Sequence, residues 1–186
     1  MLAAMVAGAA LVLGGCQSED APPATPSPSV TSPSPSPSPS PTPSASPTGG
    51  DVPAAARENT KKGGEAFVRY FFDQVNVAWT QPKAGVIAEL GEPKCEFCVN
   101  TEETAAFLVK EKQRYDQDPL SLARVEGLTA PEGQLYFFVE GTQNRASIVD
   151  ASGKVLATDP KKPLRMNVAI RWATDRWSFV GAETAG

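Results

Sequence analysis

Residues 32–43 alternate Ser or Thr with Pro without a break, inside a longer stretch, 17–50, dominated by Pro, Ser, Thr and Ala. Eleven of the 18 prolines lie between Pro22 and Pro47. Each proline removes a backbone donor that a helix or sheet ladder needs. The stretch also lacks the apolar surface that would offset the entropy of ordering it. Anything that folds must therefore lie on one side of it or the other. Such a composition favours extended polyproline II. At about 3.1 Å per residue, about 34 residues would reach roughly 100 Å. The tract suits either a plain spacer or an O-glycosylated stalk, and the chain contains no Asn-X-Ser/Thr acceptor.

On the N-terminal side, residues 1–15 are apolar or small throughout. A run of about 15 falls short of the roughly 20 residues that span a bilayer and matches the apolar region of a secretory signal. It ends in Leu13-Gly14-Gly15-Cys16, which resembles the bacterial lipobox. The resemblance implies cleavage before Cys16 and lipidation of its thiol, and two or more acyl chains hold a protein at a membrane where one does not. No Lys or Arg precedes the apolar run, and a start codon placed a few residues late would account for that. The expected organisation is a lipoprotein signal over 1–15, a lipid-anchored disordered linker over 16–52 and a folded domain over 53–186. The expected location is the extracytoplasmic face of the cell membrane, with the membrane as a partner through the covalent lipid.

The remaining length supports one domain with a real core. From Asp51 onward the chain carries all 17 basic residues and 19 of the 21 acidic ones, because Glu19 and Asp20 lie outside. With a formal charge of −4 overall, nothing marks a nucleic-acid partner. The chain has no His. That removes Ser-His-Asp and Cys-His nucleophile pairs and any zinc site built on imidazole. No metal or other cofactor is expected.

The first half of the domain reads as helix. Phe67, Tyr70, Phe71, Gln74, Val75 and Ala78 recur at spacings of three and four, and Thr60 is a suitable N-cap. Gly63 and Gly64 weaken the first turn, and Pro82 ends the run. A short helix over 84–90 and a third opening at Asn100 or Thr101 follow. The third carries Ala105, Leu108 and Tyr115 on its apolar side, with Phe107 close by. The second half alternates with period two. Leu135, Phe137 and Val139 form one apolar face, and Met166, Val168, Ile170 and Trp172 form another. Turns at 150–153 and at Thr174-Asp175 join hairpins, and 122–128 is a weaker first strand. The expectation is an α+β domain: three helices packed on a curved, cone-like antiparallel meander of four to six strands.

This order resembles the nuclear transport factor 2-like, or SnoaL-like, fold. The residues that carry the likeness are Glu65-Ala66-Phe67-Val68-Arg69-Tyr70-Phe71, then Cys95-Glu96-Phe97-Cys98, then Arg171-Trp172 through Arg176-Trp177. In layout the chain is similar to a family of uncharacterised actinobacterial lipoproteins that share the lipobox, the Ser/Pro tether and a Cys-x-x-Cys ahead of a long helix. The resemblance implies architecture and location, and no activity.

In an exported domain Cys95 and Cys98 are expected to form a local disulfide. The competing reading, a Cys-x-x-Cys oxidoreductase, needs a lowered thiol pKa at a helix start and commonly a preceding parallel strand. Here Glu92 and Glu96 oppose a thiolate and no βαβ pattern surrounds the pair. Helices over a curved sheet often enclose an apolar cavity. Phe67, Phe71, Phe137, Val139, Ile170 and Trp172 are its candidate lining, although the same spacings describe ordinary core. Tyr70 and Asp73 are the acid–base candidates, with Asp73 on the polar side of its helix. The sequence thus favours a non-catalytic binding or interaction domain for a small apolar ligand or an envelope protein. An accessory domain for wall-synthesis or transport machinery, and a redox enzyme or small isomerase, are the alternatives.

Overall fold

A computed structural model of the chain describes residues 51–129 and 134–186. The expected signal over 1–15, Cys16 and nearly all of the expected linker lie outside them. A short 3-10 turn, Ala54–Arg57, leads into α1 (Lys61–Thr80), α2 (Val86–Leu90) and α3 (Glu96–Glu111). Strands β1 (Arg114–Tyr115), β2 (Leu120–Gly127), β3 (Leu135–Gln143), β4 (Ala146–Val149), β5 (Val155–Asp159), β6 (Lys162–Ala173) and β7 (Arg176–Thr184) follow. The fold is α+β, with three helices preceding and covering antiparallel sheet.

Helix α1 begins where its cap dictates. The Thr60 hydroxyl accepts the Gly63 amide at 2.9 Å, satisfying one of the orphan donors of the first turn. All six residues of the expected apolar stripe are buried, and so are Val68 and Phe72. The stripe is wider than one face because α1 packs on the sheet and on α2 and α3 at once. The glycines of its first turn are explained by closeness. A Cβ on Gly63 would overlap the Glu58 carbonyl. One on Gly64 would lie 3.0–3.1 Å from Ile170, Leu135 and Phe137. The N-terminal end of α1 is pressed between the incoming chain and the sheet.

Helix α3 opens at Glu96, four residues before the position the sequence suggests. Its cap is Cys95, whose Sγ accepts the Cys98 amide at 3.1 Å. A sulfur in place of the usual Ser, Thr or Asp oxygen hides the boundary from sequence rules. The helix stops at Lys112, which has a φ of 54°. Tyr115 therefore lies on β1 instead of on the helix, and Phe107 faces solvent.

The main sheet has the order β2-β3-β6-β7, and β1-β4-β5 form a second, three-stranded sheet. The hairpin β4–β5 leaves the meander because Asn144 ends β3. Its amide bonds to the Pro119 carbonyl at 2.7 Å, and its side-chain amide donates to the Asp118 carbonyl at 2.9 Å. In the main sheet Leu135 pairs with Ile170, Phe137 with Val168, and Val139 with Met166. Irregularities at Leu122/Arg124 and Ala169/Ile170 bend the outer strands. At the last turn Thr174 and Asp175 both take left-handed φ, as the tightest hairpins require. This brings Trp172 edge-on to Trp177, 5.1 Å between ring centroids.

Candidate functional site

The sequence-derived lining residues divide. Phe71, Phe137, Val139 and Ile170 are at most 1% exposed. Phe71 stacks on Phe179 at 3.9 Å, and Phe97 stacks on the same ring at 5.7 Å. The centre between helices and sheet is thus closed by aromatic packing. Phe67 touches a cavity of about 280 Å³ beneath the Ala54–Arg57 turn, and Trp172 touches another of about 340 Å³ beside Thr60.

A more apolar cavity, about 340 Å³, opens at the other end of the sheet. Phe72, Val75 and Trp79 of α1 and Phe97 of α3 form one wall, and Leu120, Leu164 and Met166 form the other. The side sheet closes it. Tyr115 from β1 donates its hydroxyl to Asp159 Oδ2 at the end of β5, at 2.7 Å. Burial, and then the bond to Asp159, push the Tyr115 hydroxyl far above its ordinary range. It therefore stays a neutral donor. The indole of Trp79 stacks on the Tyr115 ring at 5.5 Å, and its Nε1 donates to the Thr101 carbonyl at 3.2 Å. Both large rings are thus fixed in place. Gln143, Asp159 and Lys162 give the mouth a polar rim.

None of these residues was singled out as lining from the sequence. Trp79 lies outside the apolar periodicity read for α1, and Tyr115 leaves its expected place on α3 because that helix ends at Glu111. Asp159 reaches Tyr115 only because β5 pairs with β4 and β4 with β1.

The acid–base candidates lie elsewhere. Asp73 is half-buried and is not among the lining residues. Burial and the nearby Asp118 raise its carboxyl pKa, and Arg69 partly offsets them. Burial, followed by Asp51, raises the Tyr70 hydroxyl. Among the described residues no three His, Cys, Asp or Glu side chains gather into a metal site. The arrangement offers an apolar bed with a hydrogen-bonding rim, which is the chemistry of binding an amphiphile.

Cys95 and Cys98 are bonded, with their sulfurs 2.10 Å apart. They are 1% and 3% exposed. Cys98 lies under Gly91, where a Cβ would press on its sulfur at 2.6 Å. The next turn is held by Glu102 of α3, whose carboxylate accepts the amides of Gly85, Ile87 and Ala88 at the start of α2.

No curated protein matches the chain. Among solved structures, the intermembrane space region of the chloroplast protein ARC6 is similar in fold, with a TM-score of 0.51 at 13% identity. That match covers 68% of this chain and 96% of that one. An uncharacterised protein with a cystatin-like fold from Caulobacter vibrioides matches with a TM-score of 0.43 at 16% identity, over 64% and 87% of the two chains. A putative calcium/calmodulin dependent protein kinase II association domain from Xanthomonas campestris matches with a TM-score of 0.42 at 12% identity, over 72% and 92%. The model of one sequence family matches residues 47–183, and the chain belongs to it: the family of unknown function DUF6318.

Proposed function

We propose that this chain is a lipid-anchored protein of the cell envelope whose domain binds a small amphiphile, without catalysis, in the cavity between α1, α3 and β6. The observation that carries the binding is the cavity itself: aliphatic and aromatic walls, two rings fixed by hydrogen bonding and stacking, and a polar rim of Gln143, Asp159 and Lys162. The anchor rests on Leu13-Gly14-Gly15-Cys16 and the Ser/Pro tether behind it. The Cys95–Cys98 bond fits an oxidising compartment, and its burial leaves no sulfur open to a substrate disulfide. On this reading the protein is one of the actinobacterial lipoproteins it resembles, with a nuclear transport factor 2-like cone.

Two experiments test it. Mass spectrometry of the mature N-terminus should find an acylated residue 16, and a chain that keeps Met1 and a free Cys16 thiol refutes the anchor. A series of alkyl glucosides of rising chain length should bind saturably in titration calorimetry, and Met166→Trp, which fills the cavity, should abolish the heat. If no glucoside binds, or the filled variant binds equally well, the binding site is wrong.

A further inference from the structure

We propose that the tip of the β4–β5 hairpin, with the end of α3 beside it, is a second contact with the membrane, one that selects anionic phospholipid. Val155 and Leu156 are 55% and 44% exposed on β5, which is an edge strand. Val109 at the end of α3 is 45% exposed and shares a groove of about 340 Å³ with Lys112, Arg114 and Ala151 of the hairpin turn. Lys154 stands immediately before Val155. The amino groups of Lys112 and Lys154 have no hydrogen bond or ion pair among the described residues.

The one carboxylate of the groove is already engaged. Asp150 Oδ1 accepts the Ser152 amide and hydroxyl and the Lys154 amide at 2.6–3.0 Å, which folds the turn. Exposed apolar side chains with unpaired cations beside them, Lys112 in the groove with Val109 and Lys154 next to Val155, suit an anionic headgroup layer. A peptide strand added to β5 would use the edge but not the cations, and a second copy packed patch to patch about a twofold would set Lys112 and Lys154 against the same cations. The charge therefore favours lipid. The inference rests on the envelope reading only in that a membrane must be within the tether's reach.

The test uses the full chain carrying Cys16→Ser and Ala151→Cys, with an environment-sensitive fluorophore on residue 151. The chain is titrated with excess vesicles, and the label reports contact at the hairpin whatever the N-terminus does. In phosphatidylglycerol vesicles the label should shift to the blue and be quenched by brominated acyl chains. Both effects should be absent in phosphatidylcholine and should fade at high salt. At about 1 kcal/mol per basic residue near an anionic surface, K112E/K154E should weaken the contact at least about thirty-fold. V155S/L156S should remove the quenching, and unchanged thermal melts would show that both double variants fold.

A label that stays in water on phosphatidylglycerol, equal quenching on phosphatidylcholine, or no loss in K112E/K154E overturns the proposal. Shielding of the label at rising protein concentration without vesicles assigns the patch to a second copy and overturns it too. The mass of residue 16 is measured separately, so a failed anchor and a failed hairpin are told apart.

Discussion

Gly63→Ala separates helix propensity from tertiary closeness, because the two predict opposite signs. In an exposed helix interior, replacing Gly with Ala gains up to about 1 kcal/mol. At position 63, however, the new Cβ would overlap the Glu58 carbonyl oxygen and sit 2.9 Å from its carbon. These are backbone atoms, so the segment ahead of α1 must move. Overpacking of that kind costs about 1–3 kcal/mol. The same carbonyl accepts the Trp177 Nε1 proton at 2.9 Å and the Thr60 amide at 2.8 Å. Displacing it forfeits about 1 kcal/mol more for a hydrogen bond. The balance is a destabilisation of about 2 kcal/mol, which for a domain of this size lowers Tm by about 8 °C. Thermal unfolding followed by far-UV circular dichroism measures it, and Trp177 emission should shift as its hydrogen bond is lost. Gly64→Ala is the control. Its contacts at 3.0–3.1 Å are the ends of the Ile170, Leu135 and Phe137 side chains, which can yield, so the propensity gain roughly cancels the crowding. A Gly63→Ala protein that melts at or above the wild-type temperature refutes the close approach.

Glu102→Ala should cost about 2 kcal/mol in chemical denaturation, because three amides at the start of α2 lose a charged acceptor together; a change within experimental error would mean that water replaces the carboxylate freely. Cys95→Ala with Cys98→Ala should lower stability by about 2 kcal/mol, the loop-entropy value for so short a ring, and reductant should reproduce the shift in the wild type but not in the variant. Asp73→Asn has a pH signature. The folded-state pKa of Asp73 is raised by burial and Asp118, so its ionised form weakens the fold at pH above that value, and the penalty vanishes as pH falls below the unfolded value. The variant should therefore melt higher than wild type near neutral pH and lose its advantage toward pH 3; an equal gain at both pH values would trace the effect to packing instead of charge.

The helical and strand periodicities were legible because one buried side suffices to create them. Phe67, Phe71 and Val75 on α1, and Val168 and Ile170 on β6, face inward as their spacing requires. The start of α3 was not legible, since a capping sulfur carries no signal that sequence rules weigh. Nor was the departure of the β4–β5 hairpin, itself expected at the 150–153 turn, into a side sheet with β1. Asn144 breaks β3 through bonds to Asp118 and Pro119, residues about 25 positions earlier, and no local window contains both partners.

Sequence by itself determined the helices-then-strands order and the apolar faces of the domain, because period acts within a few residues. Only the tertiary structure decided that the aromatic centre is closed by Phe71, Phe97 and Phe179 stacking. It also decided that the open space lies where Trp79, Tyr115 and Asp159 meet. Those three residues come from a helix and from two strands of a sheet joined through a third. Which side chains line a cavity depends on how separately formed elements pack, and that is a property of the assembled chain.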